Sequence, residues 1–364
     1  MRCLFTIQGE GRGHLTQALA LQDLLAEAGH EVCAALVGHS EERPVPAFFR
    51  ERLRAPITSM PSPTFVADAQ RRAVHPWRSL QRGLRRLPML YRTLDAIGTC
   101  IDRHRPDVVI NFYEPLTGAY MLRDRPAVPM VSIAHQYMFL HPAYRFPPGR
   151  RLHRWGVQAF THLTAARAAA CLALSLYPAP AHGRLQVLPP LLRRAVLNAP
   201  QRTAEPFYLV YIVNSGYAQE IIRWHERHPA VPLHCFWDRP AAPATDRYDA
   251  TLTFHRLDDR RFIDLMTRCK GLVCTAGFES IAEAMYLGKP VQVVPVEGHY
   301  EQWCNAFDTV RAGAGIRSTH FAPAHPERLC AAGRSHQNTF RTWVQRHRTR
   351  YVACIEQAVA SFLE

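Results

Sequence analysis

The sequence predicts an α/β protein made of two open, parallel-sheet domains in succession. Short apolar segments alternate with amphipathic helical stretches, which is the pattern of a parallel sheet covered by helices. The alternation stops in a proline-rich stretch and then begins again. With 364 residues, the chain is long enough for each domain to bury its own core.

The first half opens with a strand at 2–8 and a helix at 15–28, whose apolar residues recur every three or four positions. Gly29 ends this helix, because glycine tolerates the left-handed conformation that follows many helices. One further helix is expected at 153–170. The remaining predicted strands of this half are 31–37, 107–112, 128–134, 171–176 and 185–188.

The second half repeats the alternation after a linker at 191–206, in a stretch rich in proline and arginine. These boundaries give a first domain at 1–190 and a second at 207–338. A final amphipathic helix is expected within 339–364. One arrangement to consider is that this helix packs back on the first domain. The predicted strands of this half are 207–213, 231–237, 249–254, 271–275 and 290–296, and the helices are 217–227, 259–268 and 279–287.

The charge of the chain is strongly basic, with 44 Lys plus Arg against 30 Asp plus Glu. Twelve of the fourteen surplus charges lie in two arginine-rich segments, 50–92 and 145–154. Such segments suit an anionic membrane surface, a nucleic acid or a phosphorylated substrate. A solvated basic face explains them equally well.

Several classes of protein are disfavoured by the sequence. No apolar run reaches the ~18–20 residues that cross a bilayer, and the apolar start of the chain is too short for a signal peptide. The ten cysteines show no CxxC spacing, which argues against a zinc module or a disulfide framework. We therefore expect a cytoplasmic protein.

The first candidate site is the sequence GEGRGH at 9–14, between the opening strand and its helix. Its glycines permit a tight turn, and the helix start that follows favours negative charge. The spacing differs from G-x-G-x-x-G, and no G-x-x-x-x-G-K-[ST] occurs, which disfavours nicotinamide enzymes and P-loop enzymes. His14 suits acid–base chemistry near neutral pH, with a plain helix residue as the alternative.

The second candidate site runs from Thr275 to Ala306. Gly277 follows a strand, and residues 278–280 open a helix whose N–H groups suit a diphosphate. Glu283 lies one turn beyond Glu279, where its carboxylate suits ribose hydroxyls. A polar loop at 298–302 follows the next strand.

These motifs resemble the GT-B nucleotide-sugar glycosyltransferases, which have two Rossmann-like domains facing a central cleft. The resemblance covers 252–306, through FHRLDDRRFIDLMTRCKGLVCTAGFESIAEAM, and extends to GEGRGHLTQA near the N-terminus. It points to the group of the peptidoglycan N-acetylglucosaminyltransferase, which acts on a lipid-linked precursor. A closer likeness is to uncharacterised bacterial members with Q-G-x-G-x-G-H and an x-F-x-E-P turn, here at 111–115.

The resemblance implies roles for individual residues. It makes His14 the catalytic base, with Glu10 and Glu114 as alternatives, and a turn carboxylate as the plain interpretation of Glu114. The acceptor-side loop comprises Gly11, Arg12 and Gly13. The donor-binding residues that the resemblance implies are Asn214, Ser215, Gly216, His255, Leu257, Thr275, Gly277, Phe278, Glu279, Ser280, Glu283, Glu301, Gln302 and, with less support, Asn305.

The function implied is that of a hexosyltransferase moving a sugar from a nucleoside-diphosphate sugar, with UDP-sugar favoured, to a hydroxyl acceptor. Inversion and metal independence are expected, since no D-x-D triplet occurs, and no cofactor is expected beyond the donor. The acceptor is unidentified; a lipid-linked or membrane-presented one would place the protein on the inner face of the membrane. The alternatives are a soluble natural-product glycosyltransferase, a nucleotide-sugar 2-epimerase of the same fold and a non-enzymatic polyanion-binding protein. No specific nucleic-acid partner is expected.

Overall fold

The computed structural model describes residues 1–39, 45–63, 87–212, 215–239, 241–321, 323, 329 and 337–364. Its two compact units each contain one sheet. The first unit comprises described residues up to 193 together with 343–364, and the second comprises described residues from 194 to 342.

The sheet of the first unit has seven strands in the order β3-β2-β1-β4-β5-β6-β7, and every neighbouring pair is parallel. The central strands are almost entirely buried, as expected of a sheet covered on both faces. The strands are β1 (Arg2–Gln8), β2 (Glu31–His39), β3 (Ile57–Pro61), β4 (Val108–Phe112), β5 (Met130–Ala134), β6 (Ala170–Leu174) and β7 (Leu185–Leu188).

The strand order reverses between β1 and β4, so the loops after these two strands meet at one edge of the sheet. This edge carries both the loop at 9–14 and the turn at 111–115. The α-helices of this unit are α1 (Arg12–Glu27), α2 (Ala47–Arg52), α3 (Leu87–His104), α4 (Pro115–Arg123), α5 (Arg151–Thr164) and, after the second unit, residues 343–347 of α11 (Gln337–His347) and all of α12 (Arg350–Leu363).

The second unit also has seven strands, in the order β10-β11-β9-β8-β12-β13-β14, with only β10 antiparallel to its neighbour. Its strands are β8 (Tyr208–Ile212), β9 (Leu233–Trp237), β10 (Thr245–Arg247), β11 (Leu252–Arg256), β12 (Leu272–Thr275), β13 (Val291–Val294) and β14 (Gly315–Arg317). Its helices are α6 (Arg194–Leu197), α7 (Ala218–Glu226), α8 (Asp259–Arg268), α9 (Phe278–Tyr286), α10 (Tyr300–Arg311) and the start of α11 (Gln337–His347).

The predicted fold class, α/β with two parallel-sheet domains, is confirmed. Helix α8 spans the predicted residues, and Asp258 caps it by accepting from the Arg261 N–H at 2.8 Å. The sequence predicted a polar loop at 298–302, but residues 300–302 form the first turn of α10. The single helix expected near the C-terminus is two helices, α11 and α12.

The C-terminal helix α12 packs against α1, β6 and β7 of the first unit. Polar contacts hold it there: Tyr351 donates to the Pro189 carbonyl, and His30 pairs with Glu356 at 2.9 Å. The chain changes unit between Arg193 and Arg194, inside the stretch that the sequence assigned to a linker. No helix among the described residues is long and apolar enough to span a membrane.

Candidate functional site

The loop at 9–11 is held close to the end of β2. The Gly9 N–H donates to the Gly38 carbonyl at 2.7 Å, and the Glu10 N–H donates to Gln8 Oε1 at 2.8 Å. A Cβ at Gly9 would lie 2.5 Å from the Gly38 oxygen, closer than real Cβ contacts. Glycine at position 9 is therefore required by the backbone approach itself.

Gly11 is different, because nothing lies within 4 Å of a Cβ built there and its φ of −118° suits any residue. It is the N-cap of α1, a helix with no acidic residue in its first turn. Arg12 stacks over the Phe48 ring at 4.0 Å. The space above Gly11, next to a positive helix end, is open to a ligand.

His14 is half-buried in the first turn of α1. Its Nδ1 lies 3.2 Å from Oε1 of the buried Gln17, and its ring stacks on Tyr113 with centroids 5.7 Å apart. Since Oε1 can only accept, Nδ1 carries the proton in this arrangement. Nε2 is then the basic nitrogen, which is the form a general base requires.

Tyr113 is a neighbour of His14 that the sequence did not single out. Its φ of 61° is left-handed, a conformation that costs a non-glycine residue about 1–2 kcal/mol. The phenol OH contacts Thr161 Oγ1 at 2.8 Å, and Phe160 packs edge-on against the ring. The strained turn and these contacts fix the ring that covers one face of His14.

Glu114 does not hydrogen-bond to His14. Its side chain is fully buried and accepts from the Leu116 N–H at 3.1 Å and the Ser62 hydroxyl at 2.9 Å, which caps α4. Burial raises the pKa of this carboxyl to about 8, while the two hydrogen bonds oppose the shift. The geometry matches the turn carboxylate that the sequence left open and disfavours a role as base.

Asn111 ties this turn to the rest of the unit. Its Oδ1 accepts from the Glu114 N–H at 2.9 Å and from Thr6, and its Nδ2 donates to the Thr164 carbonyl at 2.9 Å. Thr6 and Thr164 are distant from Asn111 in sequence, so pattern alone could not reveal the network. It fixes the turn that carries both Tyr113 and Glu114.

The second site lies where β12 ends and α9 begins. Gly277 is the N-cap of α9, and the Ser280 hydroxyl donates back to its carbonyl at 3.2 Å. A Cβ at Gly277 would meet only Ser280 Oγ, at 3.8 Å, and its φ of −80° does not require glycine. The absent side chain therefore leaves open space above the helix start, where the dipole favours an anion.

The polar residues around the start of α9 differ in how deeply they are buried. Glu279 is half-buried in the first turn of α9, whereas Glu283 is buried with 2% of its surface exposed. Asn305 is also buried, and its Nδ2 donates to the Ala276 carbonyl at 3.0 Å. Asn305 thus holds the turn of Thr275 to Gly277 in place.

Glu301 and Gln302 lie in the first turn of α10, capped by His299. The Gln302 side chain accepts from the Val296 N–H at 3.0 Å, so it shapes the segment between β13 and α10. Glu301 is half-buried on the same turn. The sequence missed this helix because Gly298 and the polar residues after it are typical of a loop.

The predicted donor-binding residues His255 and Leu257 lie at the end of β11 and just beyond it. His255 is buried there, stacked on His234 with Nε2 2.9 Å from the Nδ1 of that residue. Burial, and then the nearby Arg261 charge, lower the pKa of His255 to about 4. The imidazole is therefore a neutral core group, and Leu257, just beyond the strand, is half-buried.

Of the three donor-binding residues predicted at 214–216, Asn214 lies outside the described residues. Ser215 and Gly216 belong to a short 3₁₀ turn, Ser215–Tyr217, that precedes α7. Among the described side chains, no group of three His, Cys, Asp or Glu residues is arranged to hold a metal ion.

Comparison with known proteins places the chain in a family. The family described as Glycosyl transferase family 1 matches residues 1–329. None of the curated proteins compared with the chain matches it.

Three solved structures share its fold over nearly the whole chain. CalG4, the calicheamicin glycosyltransferase, has 17% identity and a TM-score of 0.64, covering 100% of this chain and 98% of CalG4. The spinosyn rhamnosyltransferase SpnG, complexed with thymidine diphosphate, has 16% identity and a TM-score of 0.62, covering 98% and 100%. UGT2 of Phytolacca americana, complexed with UDP-2fluoro-glucose and pterostilbene, has 12% identity and a TM-score of 0.66, covering 100% of both chains.

Proposed function

Because this chain belongs to glycosyl transferase family 1 and is a glycosyltransferase of the GT-B type, we propose that its donor is a nucleoside-diphosphate sugar bound at the start of α9. The observation that carries this assignment is the open space over Gly277, since neither sterics nor backbone conformation requires glycine there. The first-turn N–H groups and the dipole of α9 suit the diphosphate. Glu283, one turn further along, suits the ribose hydroxyls, although its burial limits contact to a small part of the side chain.

His14 is the general base in this proposal. With Nδ1–H donating to Gln17, Nε2 carries the lone pair that takes the proton of an acceptor hydroxyl. The deprotonated oxygen attacks the anomeric carbon, the bond from that carbon to the diphosphate breaks, and the sugar configuration inverts. Gly11 leaves the backbone near His14 uncrowded for the acceptor.

Leaving-group stabilisation comes from the helix start and does not require a metal ion. Charge builds on the departing diphosphate in the transition state, and preorganised N–H dipoles stabilise that charge. We accordingly propose that turnover survives chelation of divalent cations. Loss of all turnover in EDTA, recovered by added Mg²⁺, would contradict this step.

The donor base and the acceptor are the finer parts of the proposal. We retain UDP-sugar as the first donor to test, and the solved structures with thymidine diphosphate and with UDP-2fluoro-glucose make both nucleotides necessary arms. The resemblance to the peptidoglycan enzyme supports a lipid-linked or membrane-presented acceptor. The natural-product enzymes of the same fold support a soluble hydroxyl compound as the second class to test.

The experiment is a thermal-shift screen of UDP, TDP, GDP and their sugars, followed by a transfer assay with the donor that stabilises most. Saturation at about 100 times Kd adds about 2.7 kcal/mol to the stability of the unit that binds. Gly277→Val serves as the matched variant, because its fold is expected to survive while the anion site is filled. The donor assignment fails if no nucleotide stabilises the wild type, or if the variant responds equally. Donor incubated without acceptor distinguishes an epimerase, which would change the sugar.

A further inference from the structure

Helix α5 exposes an apolar stripe on the side facing away from the protein. Leu152 and Trp155 are 84% and 73% exposed, and Gly156 and Ala159 are exposed beside them. Residues three, four and seven apart lie on one face of a helix, so these four form one continuous stripe. A surface helix normally turns its large apolar side chains toward the core, whereas Leu152 and Trp155 of α5 face outward.

The opposite face of α5 is the one that packs on the first unit. Gln158 donates to the Phe139 carbonyl at 2.9 Å, Thr161 contacts Tyr113, and Thr164 is fully buried. The core therefore does not need Leu152 or Trp155. Both large side chains are left without the burial that would stabilise them.

Positive charge surrounds the stripe. Arg150, Arg151 and Arg154 are exposed at the start of α5, and the Arg154 guanidinium lies 4.4 Å above the Phe146 ring. Between Asp124 and Arg194 the sequence contains no Asp or Glu but eight arginines, at 125, 145, 150, 151, 154, 167, 184 and 193. No acidic residue of the same stretch of sequence therefore offsets these charges.

We propose that this face of α5 docks on an anionic lipid surface, with Leu152 and Trp155 entering the interface and the arginines contacting the headgroups. Aromatic and aliphatic side chains combined with Arg on the flanks are the composition of interfacial helices. Charge complementarity favours this occupant over a second copy, because two copies would bring their arginines together. The inference rests on the proposed function in one respect: docking would bring this unit to a membrane-presented acceptor.

The test is co-sedimentation of the full chain with vesicles, measured without donor or acceptor. Wild type should bind vesicles of phosphatidylglycerol and phosphatidylcholine, less at high salt, and should bind pure phosphatidylcholine weakly. Leu152→Ser with Trp155→Ser should lower the partition coefficient at least about tenfold. Arg151→Gln and Arg154→Gln should each lower it about fivefold.

Matched controls keep the test falsifiable. Leu363→Ser changes another strongly exposed leucine of the same unit, and Arg223→Gln changes an exposed arginine of the second unit; both should bind like wild type. Unchanged melting temperatures verify folding, which exposed positions should not affect. Binding that survives the double variant, or no preference for anionic vesicles, overturns the proposal. Light scattering that shows a dimer abolished by the double variant, without vesicle binding, assigns the face to a second copy instead.

Because no nucleotide is present, this test can fail while the proposed sugar transfer stands. Conversely, a chain without nucleotide binding can still dock on vesicles. Loss of binding only on changing Arg82, Arg85 and Arg86 would assign the membrane contact to the other arginine-rich segment, 50–92, and would also overturn the role of α5.

Discussion

The two glycine loops of this chain have the same local plan and different surroundings. Each follows a strand of a parallel sheet and leads into a helix, and each contains a glycine with open space above it, Gly11 or Gly277. The start of α1 carries Arg12 and no acid in its first turn. The start of α9 carries Glu279, with the carboxylate of Glu283 one turn further along.

On electrostatics alone, a diphosphate would bind at the start of α1 in preference to the start of α9, because the negative charge of Glu279 partly offsets the positive end of the α9 dipole. What α9 has and α1 lacks is a carboxylate one turn behind the helix start that suits ribose hydroxyls. What α1 has is His14, with its tautomer set by Gln17. In our proposal, recognition of a whole nucleotide, and not affinity for an anion alone, distinguishes the proposed donor site at α9 from the proposed catalytic residue on α1.

Replacing His14 gives the largest expected effect. His14→Ala should lower kcat by about 10²–10⁴, the usual contribution of a general base, while the Kd for the donor stays within about twofold. Single-turnover transfer and calorimetry of donor binding measure the two quantities. His14→Gln is the matched variant, since it keeps a polar side chain but cannot take up the proton. Full activity in either variant would remove His14 from the mechanism.

Replacing each of the two open glycines with valine distinguishes the roles of the two loops most directly. Gly277→Val should raise the donor Kd at least about tenfold by filling the anion site, whereas Gly11→Val should lower turnover and leave donor Kd unchanged. Both should keep the wild-type melting temperature, because neither position is crowded. Gly9→Ala is the contrasting control, since its Cβ would meet the Gly38 oxygen at 2.5 Å and destabilise the fold by about 1–3 kcal/mol. If Gly11→Val alone weakens donor binding, the two assignments are reversed.

Glu283→Gln should weaken binding of the nucleotide donor about tenfold, as loss of a charge-assisted hydrogen bond predicts. Titration calorimetry with UDP and with its 2′,3′-dideoxy analogue measures this. The dideoxy analogue should bind wild type and variant equally, because it has no ribose hydroxyls to recognise. An equal loss for both nucleotides would assign the buried carboxylate a structural role.

Local pattern predicted much of this molecule, and long-range packing produced what it missed. Helix α8 and the turn at Gly277 follow from apolar periodicity, Asp258 and a glycine after a strand, all of which are local. The start of α10 was missed because its cap is His299, which contacts the Gln302 N–H at 3.4 Å, and histidine is not among the favoured caps. Tyr113 was missed because it is distant from His14 in sequence, and the two rings come into contact only in the folded chain.

Of the residues tested, Glu114 should affect transfer least, and the pH dependence of stability tests its place at the same edge of the first sheet. The folded pKa of Glu114 is raised to about 8 from an ordinary 4.5, so the folded state holds this proton more tightly than the unfolded state does. Its contribution to stability is then fully present below about pH 4.5 and is lost as pH rises toward 8. The slope is at most ~1.4 kcal/mol per pH unit.

Glu114→Gln should remove that slope, because glutamine can still accept from the Leu116 N–H but does not titrate. Denaturant unfolding of the wild type and the variant at pH 5, 6, 7 and 8 measures it, with Glu51→Gln as an exposed control. Transfer by Glu114→Gln should remain within about threefold of wild type, far from the loss expected for a general base. A loss as large as that of His14→Ala, with the fold intact, would restore Glu114 as the base and make the imidazole a group that only positions the acceptor.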